Sequence, residues 1–277
     1  MPRISRAIAI GYPHHITQRG NYRQTVFAEE GDYVRYVELL AGFAPRYGLE
    51  IWAYCLMPNH VHFIGVPCRQ ESLARTFNTV HMLYAQYFNR KQNTTGHLWQ
   101  GRFFSCVLDE RHLYAAVRYV EMNPVRAGIA QAPQDYPWCS AKSHMNMANA
   151  GAGAGVEGGR EAEKLTQPSA GVGANAGVGV GVHIDMTGVI AGASTGAKDQ
   201  LLSGRCFLTE TVKDWGQYLG QDQDREATAG VIKATKIGRP CGKEDFVKQM
   251  EGLLNRRLMT PPRGRPRKKE KEEEREK

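Results

Sequence analysis

Pro58-Asn59-His60-Val61-His62-Phe63-Ile64 sets two histidines either side of a valine in an apolar, β-branched run. Side chains alternate faces along a strand, so His60 and His62 point one way and Val61 and Phe63 the other. Two imidazoles one strand repeat apart can share a metal ion, and they equally suit the wet face of a half-buried strand. A metal-binding pair needs a third ligand and a reacting group, and residues 110–123 offer candidates for both. Leu113, Ala116, Val117 and Val120 recur at helical spacing as an apolar stripe. Tyr119 and Asn123 are four apart, one above the other, on one border of that stripe, with His112 on the same flank and Tyr114 on the far side. If the stripe packs on the sheet, Tyr119 and Asn123 reach the space of His60 and His62, and Tyr114 does not. A divalent ion held by two imidazoles and an amide oxygen keeps positions open for substrate oxygens and acts as a Lewis acid on a phosphodiester. A tyrosine hydroxyl attacking phosphorus then gives a covalent phosphotyrosine that conserves the bond for rejoining. Mixed nitrogen and oxygen ligands at an open site suit Mg²⁺ or Mn²⁺, although imidazoles alone would also tolerate Zn²⁺ or Ni²⁺. The competing reading is an ordinary half-buried Tyr119 and an Asn123 that caps the helix before Pro124.

The chain of 277 residues carries a net charge of +8, which favours a polyanionic partner, nucleic acid before membrane. No run is long and apolar enough to span a bilayer, and the first residues have no signal-peptide core behind them. Six scattered cysteines form no C-x-x-C pair, so neither a zinc knuckle nor a disulfide framework is indicated, and a cytoplasmic protein with reduced thiols is expected.

The positioning elements follow from periodicity. A strand is expected over Tyr12–Gly20, and a helix over Tyr33–Tyr47 that Gly48 stops. A hairpin over Leu49–Leu56 and His60–Val66, a helix from about Ser72 to Tyr87 and a strand over Leu98–Leu108 come next. A third helix, capped by Asp109, ends before Pro124. That order predicts an α+β fold, a ferredoxin-like antiparallel sheet of β-α-β-β-α-β type plus the tyrosine-bearing helix. The domain is expected over 1–144. Residues 145–200, rich in Gly, Ala and Val, read as a flexible linker. Residues 201–260 read as a small helical module, either a DNA reader or an appendage packed on the first domain. Residues 261–277 read as a charged, disordered tail, in which Arg263 and Arg265 beside prolines fit a narrow minor groove.

His60-Val61-His62 resembles the His-hydrophobe-His motif of the HUH endonucleases. Tyr119-Val120-Glu121-Met122-Asn123-Pro124-Val125-Arg126-Ala127-Gly128 resembles the tyrosine helix of the one-tyrosine transposases, especially the REP-associated tyrosine transposases. Thr17-Gln18-Arg19-Gly20-Asn21 and Leu98-Trp99-Gln100-Gly101-Arg102-Phe103 are similar to strands of the same proteins. The resemblance implies a metal-dependent enzyme that nicks and rejoins single-stranded DNA beside hairpins, with Tyr119 as nucleophile, His60 and His62 as metal ligands and Asn123 as third ligand. The related insertion-sequence enzymes usually carry glutamine at that last position. A 5′-phosphotyrosine and a free 3′ hydroxyl are the implied products, and the implied assembly is a monomer or homodimer associated with the nucleoid. Arg19, Asn21, Arg23, Arg102 and Arg126 fall in or beside these motifs, where phosphate contacts are expected, and Tyr22, Trp99 and Phe103 are candidates to stack on unpaired bases. The alternative is a hairpin-binding regulator of DNA or RNA that does not cut.

Overall fold

A computed structural model describes residues 6–152, 201–202 and 207–259. Four strands, β1 (His14–Arg19), β2 (Leu49–Met57), β3 (His60–Pro67) and β4 (Phe104–Val107), form one antiparallel sheet in the order β2-β3-β1-β4. Helices α1 (Glu30–Arg46) and α2 (Ser72–Lys91) cover one face. There Phe63 meets Tyr36 and Phe77 within a closed apolar core. The mixed α+β architecture expected from periodicity is the one observed.

Local chemistry explains the boundaries. A reciprocal capping box between Glu29 and Asp32 starts α1, and Gly48, at φ +66°, lets the chain leave it. Asp109 caps α3 (Glu110–Glu121) by accepting from the His112 amide. Pro124 then opens the short turn α4 (Asn123–Arg126). Helix α3 lies over β2 and β3 on the sheet face opposite α1 and α2, through the predicted stripe of Leu113, Ala116, Val117 and Val120.

Two expectations are corrected. The strand over Leu98–Leu108 shrinks to Phe104–Val107, with one isolated bridge between Gly20 and Trp99. Gly101 takes φ +130° and its carbonyl accepts from Gln18 Nε2, so the chain turns where an extended run was expected. Second, α5 (Ala141–Ala152) continues as helix past residue 145, where the linker was expected to begin. His144 is tied to the Glu121 carboxylate at 2.6 Å and Ala148 is buried, so this first part of the stretch has a packed face. The rest of the expected linker, residues 153–200, lies outside the described residues, as does the whole of the expected tail, residues 261–277.

The C-terminal helices α6 (Phe207–Thr211), α7 (Trp215–Gly220), α8 (Arg225–Ile237) and α9 (Glu244–Leu254) pack on the sheet domain. Helix α8 lies beside α3 and over β1 and β4, completing the second face. The attachment is polar as well as apolar. Arg118 stacks on the Tyr218 ring at 4.5 Å and donates to the Tyr218 carbonyl at 2.9 Å. The backbone of Cys241 pairs with Val107 and Asp109, adding a parallel bridge at the end of β4. Glu121, fully buried on α3, accepts from Ser140, His144 and Trp215, so one carboxylate gathers α5 and α7 onto the tyrosine helix.

Candidate active site

Antiparallel pairing sets Thr17 opposite His62 and Arg19 opposite His60, so β1 and β3 share their side-chain faces at this end of the sheet. His15, one repeat along β1, joins that face. Its Nε2 lies 3.0 Å from His62 Nδ1, and the two rings stack at 5.2 Å between centroids. Tyr119 comes down from α3 edge-on to both rings, 5.4 Å from His62 and 5.9 Å from His15. His60 stands at right angles to His62, with centroids 5.0 Å apart. Its Nδ1 lies 2.6 Å from Asn59 Oδ1, and Asn59 Nδ2 donates to the Arg23 carbonyl. The Arg126 guanidinium covers the Tyr119 ring at 4.1 Å and donates to Asn123 Oδ1 at 3.0 Å. Asn123 Nδ2 in turn donates to the Tyr119 carbonyl at 3.0 Å.

All three imidazoles are held neutral. Burial lowers His15 to about 3. Burial, then the Arg19 charge, lowers His60 to about 4. Burial pushes His62 well below its ordinary value, with His15, His60, Arg126 and Arg19 adding to the effect. A neutral imidazole is the ligating form. The Nε2 atoms of His60 and His62 have no hydrogen-bond partner among the described residues. The donor set therefore fits a divalent ion through two ring nitrogens. Asn123 Oδ1 already accepts from Arg126, which leaves its second lone pair. Among the described residues no three His, Cys, Asp or Glu side chains group as a complete metal cage.

Other sequence candidates fall at varying distances from this centre. Tyr114 turns to the C-terminal module, where its carbonyl accepts the Tyr218 hydroxyl. His112 is held by Asp109 at 2.6 Å and faces Gly230 on α8, away from the histidine pair. Arg19 ends β1 beside His60, and Asn21 and Arg23 belong to the short turn that follows. Arg102 is exposed in the loop before β4. Of the three aromatics considered for stacking, Trp99 and Phe103 are only 7% and 3% exposed and belong to the core, whereas Tyr22 is 93% exposed. Arg263 and Arg265 lie outside the described residues.

His15, Thr235 and the Glu121 network were not singled out from sequence. The His14-His15 doublet carried a signal, because alternation must send one of the two to each face. Register alone tells which: His14 is buried against Tyr12 and Ala9 as a structural hydrogen-bonding residue, and His15 reaches the site.

Residues 10–123 match the model of the family described as IS200-like transposases. A curated protein of Haemophilus influenzae, described as a REP-associated tyrosine transposase, is 24% identical over 106 residues. That match covers 34% of this chain and 60% of the relative's length. A solved structure of a REP-associated tyrosine transposase bound to a REP hairpin is 20% identical, covers 62% of this chain and 97% of that one, and superposes with a TM-score of 0.44. A crystal structure described as a transposase from Deinococcus radiodurans is also 20% identical, covers 43% and 96% respectively, and gives a TM-score of 0.31.

Proposed function

From the match of residues 10–123 to the model of the IS200-like transposases, we propose that this chain nicks and rejoins single-stranded DNA beside hairpins, as a REP-associated type of transposase. The observation that carries the reading is the Tyr119 phenol lying against His62, with Arg126 stacked on its ring. The Tyr119 oxygen attacks phosphorus, the bond from phosphorus to the 3′ oxygen breaks, and the phenol proton is lost as the 3′ oxygen gains one. The product is a 5′-phosphotyrosine and a free 3′ hydroxyl, and the reverse attack by a 3′ hydroxyl rejoins strands. His60 and His62, with Asn123 as candidate third ligand, would hold a divalent ion, Mg²⁺ or Mn²⁺, and the bound ion would supply Lewis-acid polarisation of the phosphate. Arg126 puts positive charge where negative charge develops on the phenol and the phosphate. Arg19, Asn21, Arg23 and Arg102 border the same end of the sheet and suit the DNA backbone. Tyr22 suits an unpaired base. Tyr119, His60 and His62 lie together within one chain, an arrangement that suits a monomer or a homodimer. No described helix is long and apolar enough to cross a membrane. A cytoplasmic, nucleoid-associated location is the one that goes with DNA as the substrate.

The test is incubation with a hairpin oligonucleotide bearing single-stranded flanks and Mn²⁺, followed by a denaturing gel. A covalent adduct from wild type that disappears in Tyr119→Phe supports the reading. Absence of an adduct, with hairpin binding that persists unchanged in EDTA, replaces it with the non-cleaving regulator.

A further inference from the structure

His62 is useful to a cation only if the proton of its neutral ring sits on Nδ1 and Nε2 keeps its lone pair. Nothing within β3 decides that. The decision comes from a residue 173 positions later in the chain.

Thr235 lies on α8 and is buried. Its hydroxyl is 2.7 Å from the Val231 carbonyl, one helical turn back, 2.7 Å from His15 Nδ1 and 3.1 Å from Cys106 Sγ. A hydroxyl has one proton and two acceptor lone pairs. A carbonyl can only accept, so the short contact to Val231 takes the hydroxyl proton, as threonines in helices commonly arrange. Otherwise two oxygens would face each other at 2.7 Å with no proton between them. The two lone pairs are then filled from outside. Cys106, whose thiol burial pushes up to about 12, is an S–H donor to one, and His15 must donate Nδ1–H to the other. Neutral His15 then has a bare Nε2, which can only accept. His62 must supply the proton from Nδ1, and its Nε2 is left free. The reverse chain, begun by a hydroxyl donating to His15, would end with a proton on His62 Nε2 and no lone pair to offer.

We propose that Thr235 of the C-terminal module, acting through His15, sets the tautomer of His62 and so makes its Nε2 available to a divalent cation. Thr235 and His15 are positioning residues, and the C-terminal module is thereby coupled to the metal site rather than merely packed on the domain. His60 is set independently and locally: Asn59 Nδ2 donates to the Arg23 carbonyl, so Asn59 Oδ1 faces His60 Nδ1 and accepts from it. The proposal rests on His60 and His62 being the ligand pair.

Two readouts on the full chain separate the parts. The first is the ring ¹⁵N–¹H correlation spectrum of metal-free protein, with His62 assigned by comparison with a His62→Gln sample. Nδ1–H on both His15 and His62 is expected, and Nε2–H on His62 overturns the relay. The second is Mn²⁺ affinity measured calorimetrically. Thr235→Val, which keeps the shape and removes the hydroxyl, is expected to lose the fixed tautomer and weaken Mn²⁺ binding about 10- to 100-fold, the usual cost of removing an outer partner of a metal-bound histidine. Thr235→Ser is expected to restore both. Unchanged tautomer and affinity in Thr235→Val overturns the proposal. Should Thr235→Val fail to fold, His15→Gln and His15→Leu carry the same test: glutamine can accept from His62 and donate to Thr235, and leucine can do neither. Equal Mn²⁺ affinity in that pair overturns it too. No Mn²⁺ binding by wild type with Nδ1–H on His62 overturns the ligand reading instead, leaving the tautomer assignment standing and removing its role.

Discussion

Replacing Glu121 by alanine removes the acceptor for three buried donors: Ser140 Oγ at 2.5 Å, His144 Nδ1 at 2.6 Å and Trp215 Nε1 at 2.7 Å. Ser140 has an alternative, because its hydroxyl also lies 3.2 Å from the Tyr54 carbonyl. His144 and Trp215 have no second hydrogen-bond acceptor among the described residues and are left unpaired in a dry environment. At about 1–3 kcal/mol for each orphaned group, the loss is about 2–6 kcal/mol. Glu121→Gln keeps one carbonyl oxygen but turns an amide donor toward at least one existing donor, so its cost falls between wild type and Glu121→Ala. Urea unfolding followed by tryptophan fluorescence measures both, since Trp215 belongs to the network. Glu121 sits two residues from Tyr119 without touching it, so adduct formation per folded molecule is expected to stay within a few-fold of wild type. A loss below about 1 kcal/mol in Glu121→Ala, less than one unsatisfied buried group, would refute the idea that this carboxylate clamps α5 and α7 to α3.

Burial pushes the Asp32 carboxyl up, but Lys91 and the amides of Ala28 and Glu29 outweigh it, and the folded-state pKa ends below 3.8. Its contribution to stability is therefore complete above the unfolded-state value and fades as pH falls through the depressed folded one. Asp32→Asn is expected to lower stability at pH 7 and to flatten the decline below about pH 4, read from urea midpoints across pH. Tyr22→Ala is expected to weaken binding of hairpins with single-stranded flanks by about 1–3 kcal/mol, the worth of one stacked base. Tyr22→Trp should retain binding and blunt hairpins should not discriminate, as titrations with fluorescent oligonucleotides will show. Truncation after residue 259 spares the packed helices and removes the arginine-rich tail. It is expected to weaken DNA binding and to make it less salt-dependent, as seen in the slope of log affinity against log salt.

Alternation and helical period were enough to order the sheet domain. Strand pleating put His60 and His62 on one side of β3, and the Leu113–Val120 stripe turned Tyr119 toward that side and Tyr114 away from it. Capping and stop signals at Asp109, Gly48 and Pro124 marked helix ends because they act within a few residues. Local signals misjudged Leu98–Leu108, an aromatic-rich run that reads as strand. Trp99 is instead drawn into the core, its Nε1 donating to the His81 carbonyl, and that contact spans 18 positions. They also ended the packed domain too early, because the face of α5 is made by distant partners, Glu121 and the first C-terminal helices. What tertiary structure alone decided is the far side of the site. Which histidine of the doublet meets His62 depends on strand register. The partner of that histidine is a threonine 220 residues away, brought over β1 and β4 by a helix whose own periodicity says only that one side is apolar. Hydrogen bonds between residues so far apart follow from how the layers stack, and short-range pattern carries no record of that.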